Sequence, residues 1–412
     1  MRSRKVVESS APEQNGKACE SSPARHISVC MLITNIDSPT GGIQNQSRRL
    51  LRGLKERGVS TYVCTRNYFN LSREEVRDGA LIHRSPVVGW SVPALNSIIY
   101  LIDSLIWLVR NRRHYNVIHC WQAFGSAMVG LLAKKLLGKP VLIRLTLSGE
   151  TGEVSHVKRM PLARLRLRLL RGTDRWVALT TEMKSEIQSL EVEPERIQVI
   201  HNSAILPEEA AFQPRVRERH RRSLGVEFEQ VAVFTGRLSE EKGVDTLLRA
   251  WRLLEPDLPG AHLLLLGEGG AFRNVESELR SLTAHLRLES VVHFLGHVGN
   301  VGDYLLASDL FVLPTKAEGM SNSLVEAMAA GTAIVTTDIP ANRDLVEDEV
   351  NALLVPPGDV EKLAAALKRV LTTPPLAERI AREARKRAEQ DLSVDVMTSK
   401  YLALYSSLAA RQ

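Results

Sequence analysis

Short apolar, β-branched runs recur along the chain and alternate with longer stretches in which apolar residues return every three or four positions. The runs read as strands: HISVCMLI (26–33), STYVCT (60–65), NVIHC (116–120), PVLIRL (140–145), RWVAL (175–179) and IQVIH (197–201), then QVAVFT (230–235), HLLLLG (262–267), VVHFLG (291–296), LFVLPT (310–315) and TAIVTT (332–337). Helical periodicity fills the intervals, as over 43–57, 122–137, 243–254 and 272–286. This alternation predicts βαβ units and parallel sheets. It occurs in two series, parted near 203–228 by a charged, proline-bearing stretch with no buried-strand pattern. A chain of 412 residues also exceeds what one core usually covers. The expectation is therefore α/β: two doubly wound parallel-sheet domains, 26–204 and 205–390, facing each other across a cleft. A polar tail over 1–25 is expected to be disordered, and 391–412 to form a last helix.

The hydrophobic fraction of 44% and charged fraction of 25% place the chain among soluble globular proteins. Its four cysteines (Cys19, Cys30, Cys64, Cys120) lie in the first third without metal-ligand spacing, which fits a reducing, cytoplasmic setting. The longest apolar run, IIYLIDSLIWLV (98–109), is broken by Asp103 and Ser104. It falls short of the about 20 residues a bilayer requires, so no transmembrane segment is expected.

Charge divides unevenly. Residues 1–204 hold 30 Lys and Arg against 17 Asp and Glu, leaving 24 against 30 for the remainder. A basic first half suits an anionic partner, either nucleic acid or an anionic membrane surface, or is simply a solvated face. Neither half interleaves aromatic with basic residues, which speaks against nucleic acid. The segment KRMPLARLRLRLLR (158–171) places Leu162, Leu165, Leu169 and Leu170 on one side of a helical wheel. Arg164, Arg168 and Arg171 lie opposite, while Arg166 falls inside the apolar arc. It fits either a helix lying on an anionic bilayer or a domain helix with its apolar side inward.

In open α/β sheets ligands bind beyond the carboxyl ends of the strands, so the loops there carry the candidate chemistry. Gly41 and Gly42 stand before a helix, where bare backbone N–H groups can approach a phosphate or sugar, or simply form a flexible turn. In TGRLSEEKG, Gly236 lets the chain turn, and Arg237 and Lys242 flank a helix start near Gly243. Two cations at a helix N-terminus make an anion site, unless both are solvated surface groups. The next loops bring Gly267 and Gly269, then Gly296, Gly299 and Gly302. The stretch EGMSNSLVEAMAAG (318–331) sets Glu318 in a loop and Glu326 in the first turn of a helix. Ser323 and Glu326 fit an S-x-x-E capping box, which leaves Glu318, Gly319 and Ser321 unexplained. Alternatively, the two carboxylates hold the hydroxyls at the two ends of a nucleotide sugar, with the helix N-terminus facing its diphosphate. No Asp-x-Asp closes a strand, so no divalent-metal site is expected. His119 ends a strand and reads as either a core residue or a site group.

Taken together, these stretches resemble the retaining glycosyltransferases of family four (glycosyltransferase group 1), whose GT-B architecture is two facing Rossmann-like domains. The likeness spans roughly 26–409. It rests on GRLSEEKG, LLGEGG, FLGHV, ASDLFVLPTKAEGMSNSLVEAMAAGTAIVTTDIP and LLVPPGD in family order, with Glu318 and Glu326 at the family's Glu-x7-Glu spacing. The resemblance implies transfer of a sugar from a UDP- or GDP-sugar to a hydroxyl of a glycan or lipid-linked glycan. The setting would be exopolysaccharide, lipopolysaccharide or other glycan assembly, in the cytoplasm and peripherally at the inner membrane face. It implies Arg237 and Lys242 on the donor diphosphate, Glu318 on sugar hydroxyls, and Glu326 on the ribose. The backbone of Gly319, Met320 and Ser321 would line sugar and phosphate. Gly42 with Gly41 would lie against the phosphate from the opposite domain, and Gly236, Gly267 and Val298 would complete the donor site. The final LSVDVMTSKYLALYSSL would cross back onto the first domain. Two departures stand out. In VIHNSAI (199–205) Asn202 matches the family, whereas His201 and Ser203 do not. Thr146 stands where many members carry a catalytic-site histidine, with Arg144, Ser148 and Glu150 as further acceptor-side candidates. The alternative reading is a nucleotide-sugar-binding GT-B protein without transfer activity.

Overall fold

The computed structural model of the chain describes residues 27–38, 41–89, 91–149, 152–269 and 274–410. The expected tail and Glu150 lie outside these. The first domain is an eight-stranded sheet: β1 (Ser28–Leu32), β2 (Ser60–Arg66), β3 (Glu74–Arg77), β4 (Ala80–Ser85), β5 (Val117–Trp121), β6 (Val141–Arg144), β7 (Arg175–Ala178) and β8 (Ile197–Val199). Their order is β3-β4-β2-β1-β5-β6-β7-β8. The connecting helices are α1 (Gly42–Glu56), α2 (Pro93–Arg110), α3 (Gly125–Leu137), α4 (Glu153–Arg159), α5 (Ala163–Arg171) and α6 (Thr181–Gln188). The central strands β1, β5 and β6 are buried along their whole length because helices cover both faces, which is why they read as unbroken apolar runs.

The second domain is a six-stranded parallel sheet: β9 (Gln230–Thr235), β10 (Ala261–Leu266), β11 (Val292–Gly296), β12 (Leu310–Leu313), β13 (Ala333–Thr337) and β14 (Leu353–Val355), ordered β11-β10-β9-β12-β13-β14. Its helices are α7 (Pro214–Leu224), α8 (Val244–Leu254), α9 (Glu276–His285), α10 (Val301–Ala307), α11 (Asn322–Ala329), α12 (Pro340–Arg343), α13 (Val360–Thr372) and α14 (Pro374–Asp391). A last helix, α15 (Val394–Ala409), leaves this domain and packs on α1. There Met397, Tyr401, Leu404 and Tyr405 join the core beneath the first sheet.

The structure differs from the sequence reading in three places. The first sheet is not wholly parallel: β3 pairs antiparallel with β4 at its edge. Neither was anticipated, because EEVR is polar and half exposed, and β4 spends its central positions on His83 and Arg84. Arg84 is buried and forks onto Asp37 at 2.8 and 3.0 Å, tying this hairpin to the loop after β1. The short β14 was also missed. Finally, the apolar run 98–109 belongs to an 18-residue helix, α2, which is long and apolar enough by itself to cross a bilayer. Here one face of α2, through Tyr100, Ser104, Trp107 and Leu108, is buried in the domain instead.

Gly243 shows how tightly the second domain is built beside its candidate site. It holds φ +68°, and a Cβ there would lie 2.1 Å from the Pro314 carbonyl oxygen. Gly243→Ala is therefore expected to lower unfolding free energy by roughly 2 kcal/mol or more. An unchanged urea midpoint would contradict this packing.

Candidate active site

The carboxyl ends of both sheets open onto one cleft of about 730 Å³ between the domains. The second domain lines it with Gly236, Arg237 and Lys242 after β9, Gly267 after β10 and Val298 after β11. Glu318, Met320, Ser321 and Glu326 follow after β12. From the first domain come Gly41 and Gly42 after β1, Arg144 at the end of β6 and Thr146 just beyond it. Of the candidate donor-site residues read from the sequence, Gly296, Gly299, Gly302 and Gly319 do not border this space, and the others do. Gly319 turns instead into the seam, where a Cβ would meet the Thr146 carbonyl oxygen at 2.9 Å. The loops of the two domains touch there.

Two ion pairs organise the cleft's charge. The Lys242 ammonium is paired with the Glu318 carboxylate, both largely buried. The Glu326 carboxylate accepts from Arg49 Nη2 at 2.6 Å, a bond that runs from α11 to α1 across the domains. Arg237 is 63% exposed and, among the described residues, makes a single long 3.5 Å contact, with Glu241, which leaves its guanidinium turned to solvent.

The capping reading of Glu326 does not hold. The N-cap of α11 is Ser321, whose hydroxyl accepts from Leu324 N at 3.2 Å. That places Glu326 in the second turn, beyond reach of the orphan N–H groups a cap serves. Ser323, the expected cap, contacts the Ser321 hydroxyl instead.

Along the cleft wall a hydrogen-bonded chain joins the domains. Arg144 lies over the Trp121 ring at 4.2 Å and donates to Asn202 Oδ1. Asn202 Nδ2 donates to Asn322 Oδ1 at 2.8 Å, and its backbone N–H meets the Met320 sulfur at 3.2 Å. Burial depresses the Arg144 pKa, against which Glu153 and the two tyrosines of α15 act.

Thr146 reaches the cleft, but its hydroxyl donates to the buried Glu153 carboxylate, which also accepts from the Thr146 N–H at 2.8 Å and from Ala123 N. Burial pushes the Glu153 pKa up while these bonds pull against it. Glu153 therefore fixes the loop's shape, and the Thr146 proton is already committed. Ser148 does not border the cleft. His119 is a core residue: it is fully buried, sits 2.7 Å from the Tyr405 hydroxyl, and stacks against Trp121. Burial, then the charge of Arg144, holds its pKa well below the usual imidazole range.

Arg49, Gln46 and Asn322 were not anticipated. A long polar side chain on an amphipathic helix reads as solvent-facing until a second domain is placed against it. Among the described residues, no three His, Cys, Asp or Glu side chains gather as a metal site.

Comparison with known proteins agrees with this architecture. The family model described as Glycosyltransferase Family 4 matches residues 40–204, and that described as Glycosyl transferases group 1 matches residues 216–387. The lipopolysaccharide core biosynthesis glycosyltransferase LpsE of Rhizobium meliloti is 31% identical over 177 residues, a match covering 43% of this chain and half of that protein's length. A 2-deoxystreptamine N-acetyl-D-glucosaminyltransferase of Niallia circulans is 24% identical, covering 90% of this chain and 98% of its own. Among solved structures, Anabaena HepE in complex with UDP-glucose superposes with a TM-score of 0.75 at 20% identity, over 93% of this chain and all of that one. With both domains matched in order and the GT-B fold in view, the chain belongs to the family-four, group 1 glycosyltransferases.

Proposed function

We propose that the chain transfers a sugar, with retention, from a UDP- or GDP-sugar to a hydroxyl of a glycan or lipid-linked glycan, and does so without a metal. The observation that carries this is the convergence of Lys242, Arg237, Glu318 and Glu326 on one interdomain cleft. A diphosphate arriving there can draw Lys242 away from Glu318, which frees that carboxylate for sugar hydroxyls. Arg237 and Lys242 would neutralise the leaving diphosphate by charge-assisted hydrogen bonds. In a front-face transfer the bond from the anomeric carbon to the phosphate oxygen breaks, and the bond to the acceptor oxygen forms on the same face. The acceptor's proton passes to the departing phosphate, so no protein base is required. Two similarities support this reading: HepE is known with UDP-glucose bound, and LpsE is named for lipopolysaccharide core biosynthesis.

A second reading, binding without turnover, is favoured by Thr146, whose hydroxyl is spent on Glu153. Release of nucleoside diphosphate from a panel of nucleotide sugars separates the two. Transfer predicts slow hydrolysis of one donor without acceptor and no loss in EDTA. Glu318→Ala and Lys242→Ala should each reduce it by about 100-fold or more with the fold retained. Full activity in either variant would remove the site assignment.

The setting we propose is an anionic membrane surface. Residues 91–173 carry 13 Lys and Arg against 3 Asp and Glu. Of those acids, Glu153 is buried and Asp103 is bound to Arg73. On α2 the exposed Leu95, Ile98, Ile102 and Ile106 recur at helical spacing and run toward the exposed Arg110. Leu162 and Leu165 at α5 are exposed among Arg164 and Arg168. An apolar stripe bordered by cations fits the headgroup boundary of an anionic bilayer. The protein should sediment with vesicles containing phosphatidylglycerol but not with phosphatidylcholine alone. Ile98→Asp with Ile102→Asp should reduce that binding at least tenfold. Equal recovery in the supernatant with both vesicle types would contradict it.

A further inference from the structure

Helix α1 presents a single polar face to the seam between the domains. Gly42, Gln46, Arg49 and Gly53 follow at spacings of four, three and four, which places them in one stripe along the helix. Each meets a partner outside the first sheet. A Cβ at Gly42 would lie 2.4 Å from Asn322 Nδ2, and one at Gly53 would lie 2.2 Å from Thr398 Oγ1 on α15. Gln46 donates from Nε2 to the Ser203 carbonyl at 2.8 Å and to Asn322 Oδ1 at 3.1 Å. Its Oε1 accepts from Ser203 N at 2.9 Å. Arg49 donates from Nη1 to the same Ser203 carbonyl and from Nη2 to Glu326 Oε1. One guanidinium therefore joins the first domain, the irregular segment after β8 that leads out of it, and the donor side of the second domain.

We propose that Arg49 is a positioning residue for the donor, and that its bond to Glu326 couples donor binding to closure of the cleft. The inference rests on Glu326 receiving the donor's ribose hydroxyls. Arg49 engages Oε1 and leaves Oε2 to accept from a hydroxyl. It also neutralises a carboxylate that would otherwise repel the approaching diphosphate. Because the bond spans the seam, it forms only with the domains together, so whatever favours closure favours an oriented Glu326. The coupling is reciprocal: an occupied site holds the domains closed by the same factor. Arg suits the task better than Lys, since its planar fork serves the carbonyl and the carboxylate at once.

The test uses the full chain and whichever of UDP and GDP the wild type binds more tightly. Arg49→Met should raise that dissociation constant about tenfold, the range expected when one partner of a half-buried pair is removed. Donor hydrolysis at saturation should stay within about threefold of wild type, and Arg49→Lys should recover part of the affinity. Small-angle scattering should show a larger radius of gyration for nucleotide-free Arg49→Met than for wild type, at an unchanged melting temperature. A purely structural role would lower the melting temperature without separating affinity from turnover, and would overturn the proposal. So would wild-type affinity and dimensions in both Arg49 variants while Glu326→Gln weakens binding, which leaves the donor-site reading standing. If Glu326→Gln has no effect, or neither nucleotide binds, the donor-site reading fails and this proposal with it.

Discussion

A carboxylate held in a half-closed cleft has to be neutralised, and this cleft does so before any ligand arrives. Lys242 covers Glu318 within the second domain, and Arg49 covers Glu326 from the first. The arrangement around them follows from that need. Gly243 lets the chain turn tightly after Lys242. Ser321 caps α11, so that Glu326 projects from its second turn. Gln46 and Asn202 both donate to Asn322 Oδ1 along the seam, where loose ends would otherwise lie away from water. The same pairs make the cleft receptive to an anion that brings its own hydroxyls, since such a ligand can exchange partners with each pair without stranding a charge.

The two domains contribute differently. The second supplies cations, carboxylates and a helix N-terminus on one sheet edge. The first supplies a lid of backbone at Gly42 and a wall whose shape is fixed by a buried acid, Glu153, through the Thr146 loop. Among the described residues of that wall, the Thr146 hydroxyl is turned inward onto Glu153, which fits the proposed transfer, in which the leaving phosphate carries the proton.

How far the sequence disclosed this depended on how local the signal was. Strands buried on both faces, such as VIHCW and VLIR, announce themselves by composition, and so do glycine-bearing loops at their ends. The edge hairpin β3–β4 did not, because its stability comes from Arg84 meeting Asp37, a contact spanning 47 positions. Ser323 matched the S-x-x-E pattern, yet Ser321, which has Leu324 three residues on, is the cap, since helix α11 begins two residues earlier than that pattern implies. Glu153 and Arg49 were invisible for a shared reason: their partners are fixed by packing between elements, and nothing adjacent in sequence marks them. The apolar run inside α2 was readable, but its division into a buried and an exposed face was not.

The most direct test is a crystal structure of the chain with its nucleoside diphosphate bound. We expect the diphosphate oxygens within hydrogen-bond reach of Lys242 and Arg237, Glu318 released from Lys242, and the ribose on a Glu326 still held by Arg49. A nucleotide seated elsewhere, with the Lys242–Glu318 pair intact, would contradict the account.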